Sequence, residues 1–334
     1  MWDGHWSEAV ARDAVWLGGV APAYEAAEAI LQRSGHTTIS SASVWWRVQT
    51  WGAKFKALEE TARAKAMAVP EQWAPPSRAE VPDQRMGVAM DGTMVHILQA
   101  GWKELKVGTV FEIAVWPTCD ERTGELVELA HAVHNSDVAH LGGPGVLGEM
   151  VWTEARRRDW EHAQDTAALG DGAVWIWNQA TLHFPDSHQV VDWYHGKQHL
   201  AVAAHALKDE GTPAYQRWFN SHETALYQGP AARIADELEQ AAVQSPEHGE
   251  DLRREAGYFR DNQHRMNYLE LREEQWPVGS GMVESGGKQY KARFCGPGMR
   301  WSRAGAEMLL TVRSAILSKR FDELWARVYS APQN

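Results

Sequence analysis

The order of apolar segments between residues 85 and 191 is compatible with few folds. Apolar runs bounded by turn residues predict five strands, and longer periodic segments predict two helices that separate the third, fourth and fifth strands. The predicted strands are residues 85–91, 106–116, 126–133, 166–169 and 188–191, and the predicted helices are residues 145–163 and 174–184. This β-β-β-α-β-α-β order predicts an α/β fold whose mixed sheet begins with a three-stranded meander.

Residues 1–68 are predicted to be helical. An alanine-rich helix ends near Gly35, and a second helix begins at Ser40 or Ser41 as its N-cap. The second helix carries an apolar stripe of Val44, Val48, Trp51 and Phe55. The short connection favours a helix-turn-helix that binds DNA, with Arg47 on the polar side as a candidate contact, although any helical hairpin has a similar pattern.

The rest of the chain divides at its prolines and glycines. Residues 69–84 hold four prolines without an apolar period and predict a linker. Residues 85–197 form the first part of the predicted core, and residues 198–275 form a long helical, charge-rich segment. Residues 276–334 return to the core and end in a helix predicted at residues 304–318.

Three acidic residues are the candidate catalytic groups. Asp91 and Asp171 each follow a predicted strand, and open α/β sheets bind ligands at the carboxyl ends of their strands. Glu284 follows a glycine-rich turn and begins a helix that soon becomes basic. Together these carboxylates predict a two-metal phosphoryl-transfer site for Mg²⁺, in which Mn²⁺ can substitute. Each acid alone also has a plain structural explanation, because Asp-Gly is a common turn pair and an acid is favourable near a helix N-terminus.

Asp192 and His195 form a second local group, at the end of the fifth predicted strand. They lie three residues apart, so a strand-to-helix turn can direct both side chains the same way. His195 and His199 could begin a zinc site on the following helix, but a third ligand is not evident. We favour a structural role for His195, fixed by Asp192, or a proton-handling role beside the acids.

The charge distribution favours a local nucleic-acid surface. The formal net charge of −11 argues against non-specific binding by the whole chain. Residues 285–334 nevertheless hold nine Lys or Arg against three Asp or Glu, a local balance of +6. The candidate phosphate contacts in this segment are Lys288, Lys291, Arg293, Arg300 and Arg303. A solvated pair of C-terminal helices would also account for this charge.

Tryptophan is abundant, with 18 residues, and most of these rings are expected in the core. Trp276 and Trp301 flank the basic helix and are candidates to stack on an unpaired base. Such stacking contributes about 1–3 kcal/mol per base, so one exposed ring would matter for binding.

Simple counts disfavour several classes of protein. The sequence contains no run of 18 apolar residues, so no membrane span is predicted. The N-terminus lacks the basic and apolar regions of a signal peptide. Cys119 and Cys295 are the two cysteines, without a CxxC pair, so neither a disulfide framework nor a cysteine zinc ribbon is expected. These features predict a cytoplasmic protein without a membrane partner.

Several motifs, taken together, resemble a known family. They are "MDGT" at 90–93, "GDGAVWIW" at 170–177, "FPDSHQVVDWYH" at 184–195, "PVGSGMVESGGKQYKARF" at 277–294 and "MRWSRAGAEMLLTVRS" at 299–314. This set resembles bacterial insertion-sequence transposases of the DDE class, nearest to the ISKra-type elements, which are related to the Mutator-like transposases. The resemblance covers about residues 85–320, and the N-terminal helices are similar to that family's helix-turn-helix.

The resemblance implies a ribonuclease H-like catalytic core with a helical insertion at about residues 198–275, between the fifth strand and the helix of the last acid. It implies a DNA transposase that cuts element ends with Mg²⁺ and joins them to target DNA, as a dimer or larger complex on double-stranded DNA. Two other functions stay open, a non-catalytic DNA-binding regulator and a ribonuclease H-like nuclease that cuts without joining. The chain departs from the family in lacking a cysteine zinc module near its N-terminus.

The resemblance also assigns roles to site residues. Asp91, Asp171 and Glu284 match the three catalytic metal ligands of the family. Asp192 and His195 match its Asp-x-x-His signature. Either Asp171 or Asp192 could be the second metal ligand, and Asp171 is preferred because it follows the fourth predicted strand.

Overall fold

The structure is a computed structural model that describes residues 2–3, 6–68, 84–120, 124–296 and 298–330. Its strands are β1 (Trp2–Asp3), β2 (Trp6–Ser7), β3 (Arg85–Ile97), β4 (Gly101–Cys119), β5 (Leu126–His140), β6 (Asp165–Gly170) and β7 (His188–Val191). Its helices are α1 (Glu8–Val20), α2 (Tyr24–Gly35), α3 (Ser41–Met67), α4 (Pro144–Arg157), α5 (Val174–His183), α6 (Trp193–Leu207), α7 (Pro213–Gln228), α8 (Ala231–Gln244), α9 (Gly249–Asn262), α10 (Tyr268–Glu273), α11 (Gly281–Phe294), α12 (Arg303–Leu317) and α13 (Phe321–Tyr329). Within these described ranges, no helix is long and apolar enough to cross a membrane. The predicted linker at residues 69–84 lies outside the described residues except for Gln84.

Five strands form one open, mixed sheet in the order β5-β4-β3-β6-β7. β3, β4 and β5 pair antiparallel as a meander, whereas β6 pairs parallel with β3, and β7 pairs parallel with β6. The predicted α/β class, the mixed sheet and the order of strands and helices from β3 to β7 are therefore confirmed. β1 and β2 form a separate two-stranded pair that was not predicted.

The strands of the meander are longer than predicted. β3 continues through Asp91 to Ile97 because its antiparallel pairing with β4 continues, with Asp91 opposite Val107. The prediction that Asp91 ends a strand is therefore wrong. The Asp-Gly pair makes no turn here, since Gly92 stays in the extended ladder. β5 likewise continues to His140.

Apolar side chains on the two faces of the sheet belong to two large core clusters. β3 shows the alternation, because Ala89 belongs to one cluster and the next residue, Met90, to the other. The first cluster joins the sheet to α1, α3, α11, α12 and α13, and the second joins it to α4–α10. The sheet thus lies between two helical layers, and the charge-rich segment packs on one of them.

The N-terminal helices pack on the C-terminal helices. The predicted stop at Gly35 and the predicted N-cap at Ser40 are confirmed. The four residues of the apolar stripe are fully buried, namely Val44, Val48, Trp51 and Phe55. Trp51 stacks on Trp325 of α13 with 3.6 Å between ring centroids. Residues 8–67 and α12–α13 therefore share one hydrophobic core.

Candidate active site

Asp91 and Asp171 occupy matching positions on neighbouring strands. β3 and β6 run parallel, and Ala89 pairs with Leu169 at the end of their ladder. Asp91 lies two residues beyond Ala89, and Asp171 lies two residues beyond Leu169. Since neighbouring strands are about 4.8 Å apart, this register brings the two acids side by side.

The electrostatics of Asp91 show which charges surround it. Burial raises the pKa of the Asp91 carboxyl, and the charges of Asp171 and Glu284 raise it further. The Gly92 N–H, which donates to Oδ1 at 2.7 Å, and His195 act in the opposite direction. The charges of the other two predicted catalytic acids therefore act on Asp91, although Glu284 lies 284 − 91 = 193 residues further along the chain.

Asp171 is held by a turn and by the charge-rich helical segment. Its Oδ1 accepts the Ala173 N–H at 2.8 Å, and Gly172 between them has φ of 103°, which favours glycine. Tyr258 of α9 donates its hydroxyl to the Asp171 carbonyl oxygen at 2.9 Å. Burial and the charges of Asp171 and Asp192 raise the pKa of Tyr258, so its hydroxyl stays protonated as a donor. The sequence offered no local signal for Tyr258, because its partner lies 87 residues away.

Glu284 lies in the first turn of α11, as predicted, and the preceding glycine-rich turn is fixed to the end of β7. Trp193 donates its backbone N–H to the Val278 carbonyl oxygen at 2.8 Å. Glu284 forms a group with Asp192 and His195 in which one ligand atom of each lies within 4.8 Å of the others. Asp91 and Asp171 are not members of this tighter group.

Asp192 is fully buried, and both of its carboxylate oxygens accept backbone hydrogen bonds. Oδ1 accepts the His195 N–H at 2.9 Å and so caps α6, while Oδ2 accepts the Ser280 N–H. Asp192 thus joins the start of α6 to the turn before Glu284. This arrangement is typical of a residue that positions the site.

The possible zinc pair does not form. His199 Nδ1 donates to the Glu255 carboxylate at 2.5 Å, and its ring stacks on Tyr258 with 3.4 Å between ring centroids. The His199 ring therefore belongs to the contact between α6 and α9. His195 lies with Asp192 and Glu284 instead. His195 therefore lies beside Glu284, while its structural or proton-handling role stays a prediction.

The basic residues of α11 differ in exposure. Lys288 is 78% exposed and lies 3.8 Å from Glu284, and Lys291 is also exposed. Arg300 is exposed beyond the end of α11. Arg303 is bonded to Glu307 at 3.1 Å and to the Leu141 carbonyl oxygen, which restrains it. Lys288, Lys291, Arg300 and the more restrained Arg303 are therefore exposed cations of this region, and their contact with phosphates stays a prediction.

The prediction that Arg293 contacts DNA is wrong for this structure. Arg293 is 1% exposed, and its guanidinium donates twice to the Gly18 carbonyl oxygen at 3.1 Å. It also lies over the rings of Tyr24 and Trp301, at 4.5 and 5.2 Å from their centroids. Its place on a basic helix concealed this role, because the partners come from α1, α2 and the segment before α12.

The two tryptophans proposed to stack on a base are also buried. Trp276 lies between Arg85, at 3.6 Å from its ring centroid, and His188, at 4.5 Å. The Trp301 indole donates to the Phe294 carbonyl oxygen at 2.9 Å. Both rings are therefore largely covered, at 4% and 7% exposed. Arg47, the candidate contact of the N-terminal helices, is partly exposed and lies over the Trp6 ring at 4.7 Å.

Comparisons with known proteins do not identify this site. No protein-family model matches the chain, and no curated protein matches it significantly. Its function is therefore inferred from the residues, their geometry and their charges.

Proposed function

We propose that this chain is a metal-dependent DNA transposase of the DDE class, with Asp91, Asp171 and Glu284 as its catalytic acids. One observation carries the proposal. Asp91 matches Asp171 in register, and the charges of both Asp171 and Glu284 raise the pKa of its carboxyl. The charges of Asp171 and Glu284 repel the partly buried carboxylate of Asp91, and a bound divalent cation would remove that repulsion.

The architecture supports a ribonuclease H-like core. The resemblance in sequence implies a helical insertion between the fifth strand of the sheet and the helix of the last acid. Helices α6–α10 lie between β7, the fifth strand, and α11, which carries Glu284. The insertion also contributes to the site directly, since Tyr258 binds the backbone of Asp171.

The donor set fits Mg²⁺, with Mn²⁺ as a substitute. One oxygen of Asp91 and one of Asp171 are fixed by backbone N–H groups, and a carboxylate with two oxygens can still bind a cation. Asp192 is buried with both oxygens bonded, so we assign Asp171 as the second metal ligand and Asp192 as a positioning residue. The metal would activate the attacking oxygen and stabilise the leaving oxygen. His195, beside Glu284, can accept or release a proton there.

Double-stranded DNA is the proposed partner. Lys288 and Lys291 lie one and two turns beyond Glu284 on α11, and Arg300 follows them. These exposed cations can hold phosphates beside the acids, while the net charge of −11 limits binding elsewhere on the surface. Arg47 and the α2–α3 pair are the proposed helix-turn-helix contact. Assembly as a dimer or larger complex on DNA, in the bacterial nucleoid, belongs to the same proposal.

The test is cleavage of labelled DNA that carries the sequences flanking this gene, with Mg²⁺, Mn²⁺ or EDTA. We expect metal-dependent nicking by the wild type and its loss in Glu284→Gln. Glu273→Gln is the matched control, because Glu273 is an exposed acid on α10. Joined products support a transposase, whereas cutting without joining points to a nuclease. DNA binding without cleavage in either metal would favour a regulator and reject the enzyme.

A further inference from the structure

A groove of about 510 Å³ runs beside the start of α11. Its volume lies within the range of roughly 300–1,000 Å³ that is usual for small-molecule sites. Residues of β4 and β5, the start of α6 and the glycine-rich turn line it, among them Trp116, His131, Asn135, Tyr194, Gly279 and Ser285. The groove therefore lies between β4 and β5 of the sheet and the starts of α6 and α11.

Two aromatic rings in this groove are open to solvent. Trp116 is 41% exposed and Tyr194 is 49% exposed. His131 stacks on Trp116 at 3.9 Å with the planes 3° apart, and Thr118 Oγ1 bonds to His131 Nε2 at 2.7 Å. The Trp116 ring is thus held in one orientation before anything binds. A fixed, exposed ring is a platform on which a planar group can stack.

A β-bulge presents a polar side chain to the same groove. Residues 134 and 135 of β5 stand opposite the single residue Phe111 of β4, and His134 has φ of 52°. Such bulges redirect side chains and are common next to active sites. Asn135 is the bulge residue that lines the groove, and its Oδ1 atom is buried without a hydrogen-bond partner within the described part of the chain. The bulge therefore shapes this wall of the groove.

The groove adjoins the candidate active site. A Cβ atom built on Gly279 would lie 3.6 Å from the Tyr194 ring and 3.8 Å from Asp192 Oδ2, so the groove wall and the acids share this glycine. Ser285, which also lines the groove, follows Glu284 directly in the first turn of α11. The groove therefore borders Asp192 and the first turn of α11, which carries Glu284.

We propose that this groove binds an unpaired nucleobase of a DNA strand whose neighbouring phosphate lies at the acids. The proposal rests on the function proposed above, and it adds the position of the DNA strand in the site. The base stacks on Trp116 and Tyr194. Blunt duplex DNA cannot fill the groove, because its bases are paired and stacked. The site therefore selects DNA with an unpaired segment next to the scissile bond.

The test is DNA binding in EDTA, where no cleavage occurs. The probes are a fluorescein-labelled blunt duplex and the same duplex with an unpaired tail, measured by anisotropy. We expect the wild type to prefer the tailed duplex, and Trp116→Ala and Tyr194→Ala each to weaken that complex by about 5- to 150-fold. Trp116→Phe, which keeps a ring, retains most of the preference. Trp102→Ala is the matched control, because Trp102 is 62% exposed on β4 and does not line the groove.

Thermal unfolding of each variant shows whether it is folded. Equal affinity of the wild type for the two probes, or wild-type affinity in folded Trp116→Ala and Tyr194→Ala, would overturn the groove proposal. The cleavage assay is read separately. If the wild type cleaves DNA with metal and the groove variants bind the tailed duplex like the wild type, only the groove proposal is rejected. If the groove variants lose binding to the tailed duplex and the wild type does not cleave DNA, the groove proposal is supported and the enzyme is rejected.

Discussion

The carboxylate of Asp192 accepts the backbone N–H of Ser280, which joins the end of β7 to the turn that begins α11. The other oxygen of the same carboxylate caps α6 through the His195 N–H. One buried side chain therefore sets the position of Glu284 relative to the sheet. Asp171, by contrast, is partly exposed and adds a like charge beside Asp91.

Asp192→Asn and Asp171→Asn should consequently fail in different ways. Asp192→Asn replaces one acceptor oxygen by a donor, so we expect a loss of about 1.5–3 kcal/mol in the free energy of unfolding, and roughly 10- to 100-fold lower cleavage through misplacement of Glu284. Asp171→Asn removes repulsion and should leave stability unchanged or slightly higher while cleavage disappears. Urea unfolding and the cleavage assay measure both effects. A stable, inactive Asp192→Asn would reverse the assignment of the second metal ligand.

Arg293 should contribute to stability and not to DNA affinity. Arg293→Ala leaves the Gly18 carbonyl oxygen without its donors and a cavity between Tyr24 and Trp301. We expect a loss of about 2–4 kcal/mol in the free energy of unfolding. DNA affinity, measured at a temperature where the variant is folded, should remain that of the wild type. A large loss of affinity in the folded variant would restore Arg293 as a DNA contact.

Some features of the structure could be predicted from local sequence patterns. β7 at His188–Val191 and the buried stripe of α3 were predicted correctly, because a short apolar run and a helical period of apolar residues both indicate burial. The placement of Glu284 in the first turn of a helix followed from the glycine-rich turn before it. Such features depend on neighbours within a few residues.

Features that depend on distant partners were not predicted. Arg293 belongs to a basic helix by sequence, yet its partner Gly18 lies 275 residues away. Asp-Gly at Asp91 suggested a turn, but pairing with β4 keeps the strand extended. The bulge that redirects Asn135 exists only because β5 has one residue more than β4 at that point. Long-range pairing decides each case, and a single sequence does not record it.

Lys288 and Lys291 should determine the salt dependence of DNA binding. Both are exposed on α11 next to the acids. Lys288→Ala and Lys291→Ala should each lower the slope of log affinity against log salt concentration by about 1, with similar losses for different DNA sequences. Lys208→Ala, at an exposed lysine after α6, should leave the slope unchanged. Binding titrations over a series of salt concentrations measure the slope, and unchanged slopes in both α11 variants would exclude α11 as a phosphate contact.

Gly52→Ala tests the close contact between α3 and α12. A Cβ atom at Gly52 would lie 2.5 Å from the Met308 carbonyl oxygen, a backbone atom that cannot move without shifting α12. We expect a net loss of about 1–3 kcal/mol in the free energy of unfolding, despite the higher helix propensity of alanine. Gly257→Ala is the control on α9, where nothing lies within 4 Å of the added atom, and it should stabilise by about 0.5–1 kcal/mol. Equal effects of the two substitutions would mean that the N-terminal helices are not tightly packed on α12.

Asp137 should make stability depend on pH. It lies in the core on β5, where burial and, to a smaller extent, the charge of Glu154 raise the pKa of its carboxyl to about 6, against the hydrogen bond from Thr109 at 2.6 Å. Because the pKa is higher in the folded than in the unfolded chain, the protonated carboxyl favours folding below about pH 4. This contribution, about 3 kcal/mol, is lost as the pH rises through about 6.

Asp137→Asn removes the titrating group while keeping an oxygen that can accept from Thr109. We therefore expect the wild type to lose stability relative to Asp137→Asn between pH 4 and 7, with no further change above pH 7. Urea unfolding of both proteins across this range gives the difference directly, and the other acids cancel because both proteins contain them. If the difference in the free energy of unfolding between the two proteins stayed constant with pH, Asp137 would be ionised in the folded chain without a loss of stability.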